Sequence, residues 1–268
     1  MSKTSAKPPA RNFSKAAKSA DGAQSPRRTL ELLRLVGAHH PEGVRLAQLA
    51  ETTHLPRSTL HRLLACLVGE GFVERDPERP RYRLGPESFQ LGMATADGAF
   101  LVERCRPAMQ RLARETCDTV FLIVRSGDYA LCLHREEGSF PIKAFVVDTG
   151  GRRLLGLSAV GVAILSALPM DDVDALYARN APAYKASGVS LGMLRDMVKA
   201  ARARGLSETT DWRTRETSGM GCAFTVSPSL RAGLSIAAVN SRMTAARRRQ
   251  LGQWLMQETA ALEAEPLG

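Results

Sequence analysis

The side chains with the most to offer a binding partner lie close together, between Arg57 and Arg83. In RSTLHRLLACLV the apolar residues fall at Leu60, Leu63, Leu64, Leu67 and Val68, the i, i+3, i+4, i+7, i+8 spacing of a helix with one buried stripe. At ~100° per residue, Ser58, Arg62 and Ala65 turn away from that stripe, and Thr59, His61 and Cys66 flank it. Arg57, Ser58, Thr59, His61 and Arg62 therefore form one polar group near the helix start. A guanidinium can bond guanine O6 and N7 together, and hydroxyls reach base edges or phosphates. The chemistry on offer is hydrogen bonding to a nucleic-acid groove.

The flanking sequence supplies elements to hold that face. Leu46, Leu49 and Ala50 give a first short helix. The pattern breaks near Thr52-Thr53-His54, and Pro56 stands where the next helix begins, a position that does not need its missing N–H. Beyond Gly71, Phe72-Val73 and Tyr82-Arg83-Leu84 read as strands around a Pro/Asp turn, with Arg75, Arg79, Arg81 and Arg83 along the hairpin among Glu74, Asp76 and Glu78. Helix, turn, helix and wing in this order lays the second helix in the major groove of double-stranded DNA. Arg81 and Arg83 are the expected phosphate contacts.

Charge and length agree with a polyanionic partner on a two-domain chain. The 268 residues carry 37 basic and 27 acidic side chains, a net +10. Residues 1–95 hold 15 basic against 9 acidic groups, so +6 sits in the first third. Lys3, Lys7, Arg11, Lys15 and Lys18 precede the first acid, Asp21, in a Ser/Ala/Lys/Pro leader over 1–24 whose composition predicts disorder. The leader has no apolar signal-peptide core, and no stretch is long and apolar enough to span a membrane, which predicts a cytoplasmic protein without a membrane partner. The five cysteines are scattered, with no C-x-x-C pair and no clustered histidines, so reduced thiols and no metal or other cofactor are expected.

The remaining chain reads as a linker helix over 86–98 and an α+β domain over 99–265, after a DNA-reading domain over 25–85. Val102–Thr116 is helical around Pro107, Thr119–Arg125 and Tyr129–Arg135 form a hairpin, and Ile142–Val147 is a third strand. Helices follow at Ser158–Ala167, Met170–Arg179 and Leu191–Arg204, then strands in CAFTVSP and GLSIAAVN and a closing helix at Ala245–Leu262. Gly156-Leu157-Ser158 lacks the glycine that a nucleophile elbow needs, since the next is Gly161. No His–acid partner accompanies it, so no catalytic residues are assigned. Two physical readings of this loop stand side by side. Small residues at a helix start leave N–H groups open to a carboxylate, or they serve close packing alone.

The chain resembles IclR-family transcriptional regulators. LAQLAETTHLPRSTLHRLLACLVGEGFVERDPERPRYRLGPESFQLG resembles the family's winged helix-turn-helix and linker. RPAMQRLARETCDTVFLIVRSGDYALCLHR resembles the first helix and hairpin of its GAF-like effector domain, TGGRRLLGLSAVGVAILSALP its ligand loop and helix, and ETTDWRTRETSGMGCAFTVSPSLRAGLSIAAVNS the segment closing the pocket. The likeness runs over about residues 27–262. It implies a homodimer or homotetramer with N-terminal domains on an operator and C-terminal domains sensing a small molecule. Matched positions give Ala159, Val160, Gly161, Asp211, Trp212, Cys222, Ser235 and Ala237 as effector-binding residues. Leu157 and Val162 stand where the family commonly has a polar residue or His and a Lys, and Ala237 where some members have a second serine. These departures point to an aromatic or larger organic acid, with Arg152 or Arg153 as counter-charge.

Overall fold

The computed structural model describes residues 24–40, 42–94, 97–144, 146–211, 215–228 and 230–265. Most of the basic leader and Trp212 lie outside them. The chain divides into two compact units, Met1–Ala96 and Asp97–Gly268.

The first unit contains α1 (Gln24–Gly37), β1 (Val44–Arg45), α2 (Leu46–Thr53), α3 (Arg57–Gly69), β2 (Val73–Arg75), β3 (Arg81–Leu84) and α4 (Pro86–Ala94). The three strands form an antiparallel sheet in the order β1-β3-β2. The break between α2 and α3 has a local cause. His54 adopts the left-handed conformation at φ 53° and its N–H closes on Ala50 O, while the buried Thr53 hydroxyl donates to Leu49 O and accepts from Leu55 N. Pro56 then precedes α3. Leu60, Leu63, Leu64 and Leu67 of α3 pack with Leu32 and Val36 of α1, Leu49, Val73 and Tyr82. Val68, expected on that stripe, is 39% exposed at the helix end. Helix α1 and the short β1 have no counterpart in the sequence-based expectation.

The second unit contains α5 (Asp97–Thr116), β4 (Thr119–Ser126), β5 (Tyr129–Glu136), β6 (Arg152–Leu154), α6 (Ala159–Ser166), α7 (Met170–Arg179), α8 (Ala181–Ala186), α9 (Leu191–Arg204), β7 (Ser207–Thr210), β8 (Thr217–Ser227), β9 (Leu230–Val239) and α10 (Ala245–Ala264). Six strands pair antiparallel in the order β6-β5-β4-β9-β8-β7. Helices α5 and α10 cover one face, with Val120, Leu122, Met220, Phe224, Leu234, Leu251 and Leu255 in the core between. The other face packs Phe121, Ile123, Val160, Ile164, Tyr184, Leu194 and Val198 beneath α6 to α9. Burial on both faces is why β4 reads as an unbroken apolar run rather than an alternation.

One expected strand is replaced. Among the described residues of 142–147 there is no strand, and the edge of β5 is taken by Arg152–Leu154 instead. Gly150, at φ +78°, turns the chain back onto β5, where Gly150 N donates to Cys132 O and Cys132 N to Gly151 O. The preceding loop spends its hydrogen bonds elsewhere: Phe140 N donates to Cys117 O and Val146 N to Ala144 O.

Candidate functional site

Two sites emerge, one on each unit. On the first, the buried leucines of α3 leave Arg57, Ser58, His61 and Arg62 exposed, Thr59 half-buried, and Ala65 and Cys66 exposed farther along. The helix carries no acidic residue, and Pro56 offers no side-chain cap to its first N–H groups. Those amides and the two guanidiniums give this helix start a positive character suited to phosphate.

The wing arginines divide into two kinds. Arg81 Nη1 donates to Glu42 O and Gly43 O at 3.0 and 3.2 Å, and Arg83 Nη2 pairs with Asp76 Oδ2 at 2.7 Å. Asp76 also accepts the Glu78 and Arg79 N–H groups at 2.9 and 3.1 Å. The Glu78 amide, foremost among these partners, holds the Asp76 carboxyl below its usual range. Arg81 and Arg83, expected to hold phosphates, thus each spend a terminal nitrogen inside the unit, Arg81 on the chain entering β1 and Arg83 on the hairpin. Arg75 and Arg79 are the exposed cations of the wing.

The second site is a cavity of about 70 Å³ between the sheet and the start of α6. Ser158 caps the helix, its Oγ accepting from Gly161 N at 3.2 Å. The amides of Ala159 and Val160 have no helical acceptor. Glycines bring this start against the sheet: a Cβ on Gly221 would lie 2.5 Å from Val160 N, and one on Gly233 would lie 2.6 Å from Val160 Cγ2. Phe121, Ile123, Val146, Val147 and Leu157 supply apolar wall, while Ser158, Thr209, Thr217, Ser235 and Arg153 supply the polar lining. Arg153 Nη2 donates to Val146 O, in the loop that forms part of the wall. Arg152 turns to Ser126 Oγ at 2.7 Å, so of the two arginines only Arg153 reaches the cavity.

The expected effector residues separate. Ala159, Val160, Ser235 and Ala237 line the cavity. Gly161 does not; its missing Cβ would lie 2.9 Å from Ser158 Oγ and 3.1 Å from Gly156 N, so at this glycine close packing is the operative reason. Asp211, in the left-handed conformation at φ 52°, uses Oδ1 to accept from Glu216 N and Asn240 Nδ2 at 2.6 and 2.7 Å, closing the β7–β8 turn outside the cavity. Cys222 sits on the opposite face with Met220 and Phe224. Its Sγ meets Thr259 Oγ1 at 3.2 Å and Gly205 O at 3.1 Å, and burial raises its thiol pKa. Strand parity explains this: Thr217, Gly219 and Gly221 turn toward α6, so Cys222 turns toward α10. Of the two departures from the family pattern, Leu157 lines the cavity and Val162 does not. The walls Phe121 and Ile123 were not anticipated as ligand-facing; alternation along β4 groups them, once the face carrying α6 is known.

Among the described residues no cluster of three or more metal-ligating side chains exists, and no helix is long and apolar enough to cross a membrane. Comparison with known proteins decides the family. Residues 25–77 match the IclR helix-turn-helix domain, and residues 93–263 match the bacterial transcriptional regulator IclR C-terminal domain. The chain belongs to the IclR family. It is 31% identical over 240 residues to the HTH-type transcriptional regulator BhcR of Paracoccus denitrificans, covering 86% of this chain and 83% of that protein. An IclR transcriptional regulator from Silicibacter sp. shares the fold with a TM-score of 0.73 at 21% identity, over 90% of this chain and 95% of that one. An IclR homologue from Microbacterium hydrocarbonoxydans, complexed with 4-hydroxybenzoate, has a TM-score of 0.69 at 18% identity over 90% and 98%. This IclR-family chain is a DNA-binding transcriptional regulator and not an enzyme, with a winged helix-turn-helix unit and a GAF-like α/β unit.

Proposed function

We propose that a small organic acid with an aromatic or similarly apolar body binds the cavity at the start of α6 and controls how firmly the regulator holds its operator. The observation that carries this reading is the composition of the wall: Phe121, Ile123, Val146, Val147 and Leu157 surround an interior reached by one guanidinium, Arg153, and by a capped helix start. Such a site desolvates a ring and still meets a carboxylate. The 4-hydroxybenzoate complex of the Microbacterium homologue supports the same ligand class.

On the DNA side, Ser58, His61 and Arg62 face the base edges, Arg57 and Thr59 border them, and Arg75 and Arg79 hold phosphate in place of Arg81 and Arg83. A second copy completes the operator-binding species, as a homodimer or homotetramer. Leu30 on α1 and Phe89 and Leu91 on α4 are exposed by 51%, 70% and 56%, apolar side chains available for contact with a partner copy. The setting is cytoplasmic. A ligand can switch binding only if it favours one DNA-binding arrangement over another.

The test is binding of the purified protein to its own upstream intergenic DNA at physiological salt with random-DNA competitor, with and without a panel of aromatic and aliphatic acids. Competitor-resistant binding that shifts with an aromatic acid is the expected result. Response to acetate-sized acids alone would overturn the ligand class, and indifference to every acid would overturn ligand control.

A further inference from the structure

The lining of the cavity changes its chemistry in order across the sheet. The strands run β7-β8-β9-β4-β5-β6. Thr209 stands on β7 and Ser235 on β9, Phe121 and Ile123 on β4, Ala130 on β5 and Arg153 on β6. The start of α6 belongs to the hydroxyl end, because Ala159 and Val160 lie against Gly219 and Gly221 of β8. Ser235 pairs with Gly221 and is 8% exposed. Its hydroxyl lines the cavity and makes no hydrogen bond among the described residues.

Arg153 stands at the opposite end, paired with Ala130. Among the described residues it is the only ionisable side chain that lines the cavity, so no acid of the lining neutralises it. Its Nη2 donates to Val146 O, which keeps the guanidinium at this end of the wall. Strands lie about 4.8 Å apart, so with β9, β4 and β5 between them its backbone is roughly 19 Å around the sheet from Gly221. The two rows are also offset, since that of Gly221 crosses β4 at Phe121 and that of Arg153 crosses it at Arg125. An arginine side chain covers only part of this path. Between the two ends the wall is apolar, with Phe121, Ile123 and Ala130 on the sheet and Val146, Val147 and Leu157 from the loops.

We infer that the two ends hold different groups, and that the ligand is an apolar-bodied diacid whose carboxylates stand at opposite ends of an aromatic or similar frame. One carboxylate takes the start of α6 and the Ser235 hydroxyl; the other takes Arg153. A guanidinium bonds a carboxylate through short, directional, charge-assisted hydrogen bonds, and the apolar middle desolvates the body between them. The inference rests on the acid-binding reading above and narrows it: the cavity measures the distance between two anionic groups.

The experiment is calorimetric titration of the full-length chain with benzoate, phthalate, terephthalate and 4-carboxyphenylacetate, on wild type, Arg153→Gln and Arg153→Met. The second carboxylate is absent in benzoate, adjacent to the first in phthalate and opposed to it in the other two. At least one opposed diacid should bind wild type about tenfold more tightly than benzoate, the size of one charge-assisted hydrogen bond. Phthalate should gain nothing. Arg153→Gln keeps an N–H for Val146 O, and Arg153→Met keeps only the apolar stem. Both should bring the ratio of diacid to benzoate affinity down to about one, whatever each does to benzoate itself. An opposed diacid that binds wild type no better than benzoate, or an equal gain for phthalate, overturns the two-headed ligand while the acid site stands. So does a ratio that survives either variant, including one preserved by an equal loss of both acids, which would put Arg153 on the first carboxylate. Failure of wild type to bind any of the four acids would instead overturn the aromatic-acid reading of the cavity, and this inference with it.

Discussion

Two helix starts of the regulator lie in opposite surroundings. The start of α3 lies at the surface, with Arg57, Ser58, His61 and Arg62 around it and no side-chain cap. The start of α6 is buried, capped by Ser158, pressed against Gly221 and Gly233, and walled by Phe121 and Leu157. A helix start in water attracts a polyanion mainly through mobile cations, so its grip depends on salt. A helix start in a low-dielectric cavity holds one small anion by fixed geometry and depends on salt much less. The difference lies in what stands next to the helix, not in the helix itself.

The largest break in this comparison comes from closing the inner site. Gly221→Val places side-chain carbon where even a Cβ lies 2.5 Å from Val160 N and 2.6 Å from Val160 Cα, so the start of α6 must move off β8. A stability loss of about 3 kcal/mol is expected from such overpacking, read from urea denaturation, together with loss of aromatic-acid binding. Retained acid affinity in a folded Gly221→Val protein would show that the ligand does not use the start of α6. The matching break at the outer site is Arg62→Ala. If Arg62 reads a base, discrimination between operator and random DNA falls by ~1–3 kcal/mol, measured by competition binding, with acid affinity unchanged. An equal loss on both DNAs would assign Arg62 to phosphate.

The outer site was the more legible of the two, for a physical reason. Its buried leucines and exposed polar residues lie on one helix, where a local period of 3.6 sorts them, and Leu60, Leu63, Leu64 and Leu67 are all buried as that period requires. Val68 escaped because the period says nothing about where the covering layer ends. The fold class and most helices of the second unit followed from the same local patterns. The cavity did not, because it gathers residues from all six strands of the sheet, α6 and two loops. Cys222 illustrates the difficulty: its type and place suit a pocket, but the register of β8 turns it to the α10 face. The wing shows a second case, since the four arginines look alike in sequence until Asp76 and the Glu42 and Gly43 carbonyls claim two of them.

That division of the wing gives a smaller effect that sharpens the outer half of the comparison. Arg79→Ala should weaken operator and random DNA alike and lower the salt slope by about 0.9, as for one lost phosphate contact. The melting temperature should stay close to wild type, since Arg79 is exposed. Arg83→Ala should do the opposite: loosen the hairpin by freeing Asp76, and alter DNA affinity only through the wing's shape. A full salt-slope change in Arg83→Ala would mean that its guanidinium leaves Asp76 for the DNA.

The smallest effect is a pH dependence confined to the wing. The folded Asp76 carboxyl titrates below its ordinary value of 3.8, chiefly because of the Glu78 N–H, with the Arg79 N–H and the Arg83 charge adding to it. A depressed folded pKa means the native hairpin binds the proton less readily than the unfolded chain does. The contribution of Asp76 is therefore fully present above the unfolded value, and disappears as pH falls below 3.8 through the folded one. Amide exchange at Glu78 and Arg79 reads this directly, because both N–H groups donate to Asp76 Oδ1. Their protection in wild type should fall as the pH drops from 5 toward 2, relative to amides in α3. In Asp76→Asn the starting protection should be lower and this extra acid-dependent loss absent. The α6 start relies on an uncharged Ser158 cap, and the Gly161 amide that it binds should show no such wing-type titration over the same range. If Gly161 lost protection in step with Glu78 and Arg79, acid would be loosening both units together. The contrast between a charged outer scaffold and a neutral inner one would then fail at the level of stability, even if it held for ligand binding.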